Sequence, residues 1–285
     1  MSEPFRRCKV QCAHATGLHR MAYLEWGERD RVLVCVHGLT RCARDFDFLA
    51  AELASRYRVV CPDVAGRGDS DWLDNPMEYA VPTYVNDMVA LVARLDVESV
   101  HWVGTSLGGL IGMTLAALPD TPVRKLVLND VGPVLTAVSL ERIGTYLGTW
   151  PPLPTLEAAE AFVRAVSAPF GPHTDAEWRF LTEHVVRRNP DGSYRMHYDP
   201  AIAVPFNVQL PRRDIELWNL YDAIRCPTLV LRGEQSDLLT RETAAKMAVR
   251  GPRAKVVEIA GVGHAPTLIH ADQIKIVRDF LFEGD

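Results

Sequence analysis

Short apolar runs recur along this chain, and their arrangement limits the possible folds more than any other feature of the sequence. Near-continuous apolar strands are typical of a parallel sheet that is covered on both faces. Stretches with helical spacing of apolar residues, such as 45–56 and 81–96, lie between them. Because strands and helices alternate, the sequence predicts the α/β class. Segments 8–15 and 19–27 are predicted to form an antiparallel hairpin at one edge of the sheet. The six apolar runs are 31–36, 57–63, 99–104, 123–130, 227–233 and 254–261.

The alternation of strands and helices fails once, between residues 131 and 225. A structureless loop of that size is improbable inside a compact domain, so we expect an inserted helical subdomain. We predict a core domain of residues 1–132 and 224–285 and a helical cap (lid) subdomain of residues 133–223. The helical stretches predicted in the cap are 140–148, 156–167, 175–188 and 215–223.

Composition and charge exclude several classes of function. The 285 residues carry a formal net charge of −5 with interspersed charges, so no basic block is available to track nucleic-acid phosphates. No apolar segment is suited to be a signal peptide or a bilayer span, which predicts a cytoplasmic protein without membrane contact. The six cysteines have no partner at metal-ligand spacing and are interpreted as free, mostly buried thiols, so no metal is predicted. The sequence leaves homo-oligomerisation open.

The stretch VHWVGTSLGGLIGM, residues 100–113, places glycines between a predicted strand and a predicted helix, although glycine weakens both. Residues 104–108 fit the pattern Gly-x-Ser-x-Gly in the strand-turn-helix context that gives this motif its meaning. In such a turn the Ser106 hydroxyl is exposed at a helix N-terminus, where N–H groups favour developing negative charge. A glycine-rich turn with an incidental serine fits the pentapeptide equally well, so partner residues must decide.

A serine nucleophile needs a base to remove its proton and an acid to orient that base. Asp237 follows the predicted strand 227–233, and His264 follows the next strand, 254–261. Because the carboxyl ends of neighbouring parallel strands meet at one edge of a sheet, both side chains are placed to serve Ser106. The sequence therefore predicts Ser106, Asp237 and His264 as nucleophile, acid and base.

Five motifs together resemble the α/β-hydrolase superfamily, in particular its serine esterase or lipase-like members with a helical cap. They are VHGLT, DVAGRGDSD, GTSLGG, RGEQSDLLT and GVGHAP, and the likeness covers essentially the whole chain outside the insertion. The resemblance implies a mostly parallel sheet of eight strands with an all-helical cap inserted after the sixth. It also implies the roles given above to Ser106, Asp237 and His264. The implied oxyanion hole consists of the backbone N–H groups of Leu39 and Leu107.

Other side chains have weaker claims to a role. Asp130 ends a strand at the same edge and is the alternative acid, as in some relatives; otherwise it ties down the start of the cap. Arg41 is a candidate contact for a substrate carboxylate. Trp150 and Trp218 are candidate substrate contacts in the cap, although aromatic residues at helical spacing are more often core. His37 is interpreted as a brace for the oxyanion loop.

These residues predict an enzyme that hydrolyses a small carboxylic ester, thioester or lactone through an acyl-enzyme intermediate. This chemistry requires no metal or organic cofactor. Carbon–carbon bond hydrolysis of ring-cleavage diketones and acyl transfer to an acceptor other than water use the same triad and stay open as alternatives. A capped cleft favours a small-molecule acyl substrate over a polymer.

Overall fold

An eight-stranded sheet forms the centre of the computed structural model, which describes residues 3–208 and 213–284. The strands in chain order are β1 (Arg6–His14), β2 (Gly17–Trp26), β3 (Val32–Val36), β4 (Arg58–Pro62), β5 (Val100–Thr105), β6 (Val123–Asn129), β7 (Val134–Leu135), β8 (Val186–Arg188), β9 (Tyr194–Met196), β10 (Ile215–Glu216), β11 (Thr228–Gly233) and β12 (Lys255–Ile259). The main sheet has the order β1-β2-β4-β3-β5-β6-β11-β12. Strand β2 pairs antiparallel with β1 and β4, and the other pairs are parallel. The predicted mostly parallel α/β sheet is confirmed.

Helices cover both faces of this sheet. They are α1 (Asp47–Leu53), α2 (Val81–Leu95), α3 (Leu107–Ala116), α4 (Ala137–Gly144), α5 (Leu156–Val166), α6 (Asp175–Glu183), α7 (Ala203–Val208), α8 (Trp218–Ala223), α9 (Arg241–Met247) and α10 (Ala271–Phe282). The core on one face contains α2 and α3, and the core on the other contains α1 and α10. Along β3, Val32 and Val34 enter the first core and Leu33 and Cys35 the second, which is why the strand is apolar throughout. Among the described residues, no helix combines the length and apolarity needed to cross a membrane.

Residues 133–223, called the inserted segment below, lie between β6 and β11. The segment holds α4 to α8 and also two short antiparallel strand pairs, β7 with β10 and β8 with β9. The prediction of an all-helical insertion is therefore wrong. Helix α6 ends at Glu183, and the β-branched Val186 starts a hairpin whose turn contains Gly192 at φ 90°. The division into a core domain and a cap subdomain at the boundaries given above stays a prediction.

Candidate active site

Ser106 lies on a sharp turn between β5 and α3. Its backbone has φ 51° and ψ −111°, and a residue with a side chain rarely adopts a positive φ. Strand and helix approach closely here: a Cβ on Gly104 would lie 2.2 Å from the Gly108 carbonyl oxygen, and one on Gly108 would lie 2.0 Å from the Val36 carbonyl oxygen. Both glycines are therefore required by the close approach of backbone to backbone. The turn places the serine where the parallel strands end, called the carboxyl edge below.

His264 connects Ser106 to a carboxylate. Its Nε2 is 2.9 Å from Ser106 Oγ, and its Nδ1 is 2.7 Å from Asp130 Oδ2. Because the carboxylate accepts the Nδ1–H, Nε2 is left to accept the serine proton. The structure thus brings Ser106 and His264 together, as the sequence predicts, and places the Asp130 carboxylate on the other side of the imidazole.

The Asp130 carboxylate is completely buried and well partnered. The residue directly follows β6. Its Oδ1 accepts the Gly233 N–H at 2.8 Å, and its Oδ2 accepts the Ser236 hydroxyl at 2.6 Å in addition to His264 Nδ1. These three hydrogen bonds compensate for the loss of water around the carboxylate and fix its orientation toward the imidazole.

Asp237 is not the partner of His264, so the sequence prediction of the acid is wrong. The Asp237 side chain is 42% exposed, and its carboxylate binds Arg142 of the inserted segment, with Oδ2 2.6 Å from Nε and Oδ1 2.9 Å from Nη2. Adjacent side chains point in different directions here. Ser236 points inward and donates to Asp130, whereas Asp237, the next residue, binds the inserted segment. The alternative acid named from the sequence, Asp130, is the residue beside the imidazole.

The two predicted oxyanion residues, Leu39 and Leu107, both line the cavity next to Ser106. Leu107 is the first residue of α3, so its N–H has no partner within the helix. The loop carrying Leu39 is fixed by the fully buried Arg67, whose Nε donates to the Leu39 carbonyl at 2.8 Å. Among the described residues, no acceptor is found for either N–H. Their service as an oxyanion hole stays a prediction that this geometry supports.

His37 braces the same loop, which confirms its interpretation from the sequence. Its Nδ1–H donates to the Gly38 carbonyl oxygen at 2.7 Å, and its Nε2 accepts the Val64 N–H at 3.0 Å. Complete burial disfavours the imidazolium ion and lowers the pKa of His37 to about 3. Both ring nitrogens of a neutral imidazole are therefore used in holding the loop.

A cavity of about 360 Å³ opens onto Ser106. Its wall is mostly apolar and comes from both the core and the inserted segment. The tyrosine hydroxyls in the wall are occupied: Tyr79 donates to Asp199 at 2.6 Å, and Tyr84 accepts from Arg67 at 2.8 Å. Such a cavity suits an acyl chain and is a poor site for a charged group. Apolar residues of the wall include Leu110, Leu135, Leu140, Ile143, Ile202 and Phe206.

Three candidate substrate contacts do not line this cavity, so the geometry gives these assignments no support. Arg41 is buried against the inserted segment, and its Nη2 lies 2.7 Å from the Asp45 carboxylate. Trp150 and Trp218 pack edge-on against tyrosine rings of the inserted segment. Each of the three side chains therefore has a partner within the protein: Arg41 forms an ion pair, and both indole rings pack against tyrosine rings.

Sequence reasoning missed the contribution of α2 to the site. Residues just before this helix and in its first turn form part of the cavity wall, namely Tyr79, Ala80, Val81, Pro82 and Tyr84. A topological signal was available, because a helix that follows a parallel strand begins at the carboxyl edge. Helix α2 follows β4, so its first turn lies at that edge.

Comparisons with known proteins agree with this architecture. Residues 33–274 match the alpha/beta hydrolase family. A 3-hydroxybutyrate-oligomer hydrolase of Cupriavidus necator is 53% identical over 280 residues, which cover 95% of this chain and 96% of that protein. The crystal structure of a putative hydrolase from Rickettsia typhi is 32% identical with a TM-score of 0.91 and covers 100% of both chains. An alpha/beta hydrolase from Novosphingobium aromaticivorans is 36% identical with a TM-score of 0.89 and covers 99% of both chains.

Proposed function

This chain belongs to the alpha/beta hydrolase family, and we propose that it is a serine hydrolase that cleaves carboxylic esters through an acyl-enzyme formed on Ser106. The observation that carries the proposal is the chain of hydrogen bonds from Asp130 through His264 to Ser106. The Ser106 end of this series of hydrogen bonds faces the apolar cavity, so an acyl group bound in the cavity lies next to the serine hydroxyl.

The reaction begins at the carbonyl carbon of the ester. His264 Nε2 takes the Ser106 proton as Oγ attacks, and Asp130 orients the imidazole and stabilises its positive charge. The N–H groups of Leu39 and Leu107 donate to the carbonyl oxygen as it becomes negative. His264 then gives the proton to the leaving alkoxide, which departs as an alcohol. A water molecule, deprotonated by the same imidazole, attacks the acyl-enzyme and releases the carboxylic acid and free Ser106.

For the substrate we propose short oligomers of 3-hydroxybutyrate. The Cupriavidus relative, named as a hydrolase of such oligomers, is 53% identical over nearly the full length of both proteins. Each repeating unit is a short hydroxy acid joined to the next by an ester, and an apolar cavity of about 360 Å³ suits a short acyl chain of this type. The relative favours ester hydrolysis over the two alternatives, carbon–carbon bond hydrolysis and acyl transfer, which would use the same residues.

The test combines two substrate series. The first contains 4-nitrophenyl esters from acetyl to decanoyl, and the second contains the dimer and trimer of 3-hydroxybutyrate, with products separated by chromatography. We expect turnover of short-chain esters and of both oligomers, and a loss of kcat of roughly 10⁵-fold in Ser106→Ala. Undiminished turnover in Ser106→Ala would overturn the mechanism. Turnover of nitrophenyl esters without cleavage of either oligomer would overturn the substrate and leave the mechanism intact.

A further inference from the structure

A second group of chemically active side chains lies on the N-terminal hairpin and α2. Cys12 and His19 are paired residues of β1 and β2, and paired residues of an antiparallel ladder project from the same face of the sheet. Helix α2 covers this face and brings Asp87 to them. The cysteines have no partner at metal-ligand spacing in the sequence, because strand pairing in the hairpin, and not a short motif, brings these residues together.

The three side chains are close together and enclosed by protein. The Cys12 sulfur, an imidazole nitrogen of His19 and a carboxylate oxygen of Asp87 all lie within 4.8 Å of one another. None of the three residues is more than 3% exposed. His19 Nε2 is 3.1 Å from Asp87 Oδ2, and the Cys12 sulfur lies 4.0 Å from the carbonyl oxygens of Val10 and Asp87.

Two polar atoms of this group lack the partners that burial normally requires. Within the described part of the chain, His19 Nδ1 and Asp87 Oδ1 have no hydrogen-bond partner, although both are buried. An unpartnered buried polar atom carries the full cost of losing its water. The hydrogen bond between His19 and Asp87 therefore leaves part of the hydrogen-bonding capacity of this buried group unused.

We propose that Cys12, His19 and Asp87 bind a divalent transition metal, with zinc as the best chemical match. Thiolate, imidazole and carboxylate are the donor types that zinc takes in proteins, and the sulfur disfavours magnesium and calcium. The thiol proton leaves to solvent when the metal binds, and the charges of thiolate and carboxylate then balance that of the ion. The three side chains would supply three of the four ligands that zinc takes in proteins.

His14 lies beside this site and is bound elsewhere. Its ring centre lies 5.3 Å from that of His19, and its Nδ1 is bound by the Glu78 carboxylate. The metal joins the hairpin, which carries Cys12 and His19, to α2, which carries Asp87. Because Tyr84 in the first turn of α2 lines the cavity at Ser106, the ion also stabilises one wall of that cavity. The proposal does not depend on ester hydrolysis.

The test uses the full-length protein, dialysed against a chelator and titrated with Co²⁺, whose bond to a thiolate absorbs in the near ultraviolet. We expect one cobalt ion per chain with this absorption band, displaced by added zinc. Cys12→Ser is expected to remove the band and weaken binding by roughly tenfold or more. Cys8→Ser is the matched control, since Cys8 lies on the same strand outside the cluster, and it leaves the band unchanged.

Melting temperature supplies a second readout. Added zinc is expected to raise the Tm of the wild-type protein and of Cys8→Ser, and to leave the Tm of Asp87→Asn unchanged. No thiolate-to-cobalt band in the wild-type protein, or the same band in Cys12→Ser, would overturn the proposal. Where Cys12→Ser does not fold, Asp87→Asn decides the question, because a zinc-dependent rise in its Tm equal to that of the wild-type protein would also overturn the proposal.

Discussion

The carboxyl edge of the sheet and the inserted segment hold their charged side chains in opposite ways. At the edge, the buried Asp130 carboxylate accepts three hydrogen bonds from donors fixed by the core. In the inserted segment, charged groups meet in exposed ion pairs such as Arg164 with Asp175, whose side chain is 94% exposed. Exposed pairs contribute little to stability, whereas a buried carboxylate with three partners is fixed. The carboxyl edge therefore fixes the positions of the proposed reactive groups, whereas the inserted segment contributes to the shape of the cavity.

The largest expected difference between the two regions is the effect on kcat of replacing a histidine in each. His264→Ala removes the proposed base and is expected to lower kcat by roughly 10⁵-fold. His184→Ala, the matched change in the inserted segment, is expected to alter kcat by less than about threefold because His184 does not line the cavity. Steady-state hydrolysis of 4-nitrophenyl butyrate measures both values. Similar losses in the two variants would abolish the distinction between the regions.

Glycine replacement tests the same comparison through stability. Gly108→Ala forces a Cβ to within 2.0 Å of the Val36 carbonyl oxygen, so we expect the free energy of unfolding to fall by about 3 kcal/mol or more. Gly192→Ala, in the hairpin of the inserted segment, meets only the end of Arg188 at 3.6 Å and suffers mainly from its positive φ, at about 1 kcal/mol. Urea denaturation measures both. Equal losses of unfolding free energy in the two variants would show that the turn between β5 and α3 tolerates more movement than its backbone contacts indicate.

Acidification is expected to destabilise the protein through the buried His37. Its pKa is about 3 in the folded protein against about 6.5 in the unfolded chain, so the unfolded chain binds more protons as the pH falls below 6.5. The contribution of His37 is complete above pH 6.5 and declines until about pH 3. At pH 5 the loss from this residue alone is about 2 kcal/mol.

Asp63 opposes this effect. Burial raises the pKa of its carboxyl to about 6, so the folded protein binds the extra proton and gains stability as the pH falls through 6. The specific measurement is therefore the change in unfolding free energy between pH 7 and pH 5 in the wild-type protein and in His37→Gln. The variant is expected to lose about 2 kcal/mol less than the wild type over this interval. The same change in both proteins would show that His37 does not titrate on unfolding.

The smallest expected effect concerns the shape of the cavity. Ile143 of α4 lines the cavity, and Ile143→Ala is expected to favour hexanoyl over butyryl esters by roughly tenfold in kcat/KM. Val138 lies on the same helix but is 73% exposed, so Val138→Ala is expected to leave this preference unchanged. An unchanged preference in Ile143→Ala would mean that the acyl chain does not contact the inserted segment.

The sheet and the serine turn could be predicted from the sequence because their causes are local. Strands buried on both faces are apolar throughout, and the close approach of strand and helix requires glycine at positions 104 and 108, which is visible in the sequence. The sequence favours Asp237 over Asp130 as the partner of His264 but cannot distinguish them reliably, because they follow β11 and β6, which are neighbouring parallel strands. The choice depends on Ser236 and Gly233, whose hydrogen bonds to Asp130 exist only in the folded protein.

The inserted segment was predicted less well for a related reason. Its helices are short and its surfaces are exposed, so apolar spacing marks their packing weakly. The predicted helix 175–188 includes the residues of β8, and the candidate substrate contacts Trp150 and Trp218 do not line the cavity. A cytoplasmic location stays a prediction, and homo-oligomerisation stays open.

The most direct test of this account compares Asp130→Asn with Asp237→Asn, two nearly isosteric changes at neighbouring strand ends. Kinetics with 4-nitrophenyl butyrate are measured for both, after circular dichroism has shown that both are folded. Asp130→Asn is expected to lower kcat by roughly 10⁴-fold because the imidazole loses its orienting carboxylate. Asp237→Asn removes only an exposed pair with Arg142 and is expected to change kcat by less than about threefold. A larger loss in Asp237→Asn than in Asp130→Asn would contradict the account.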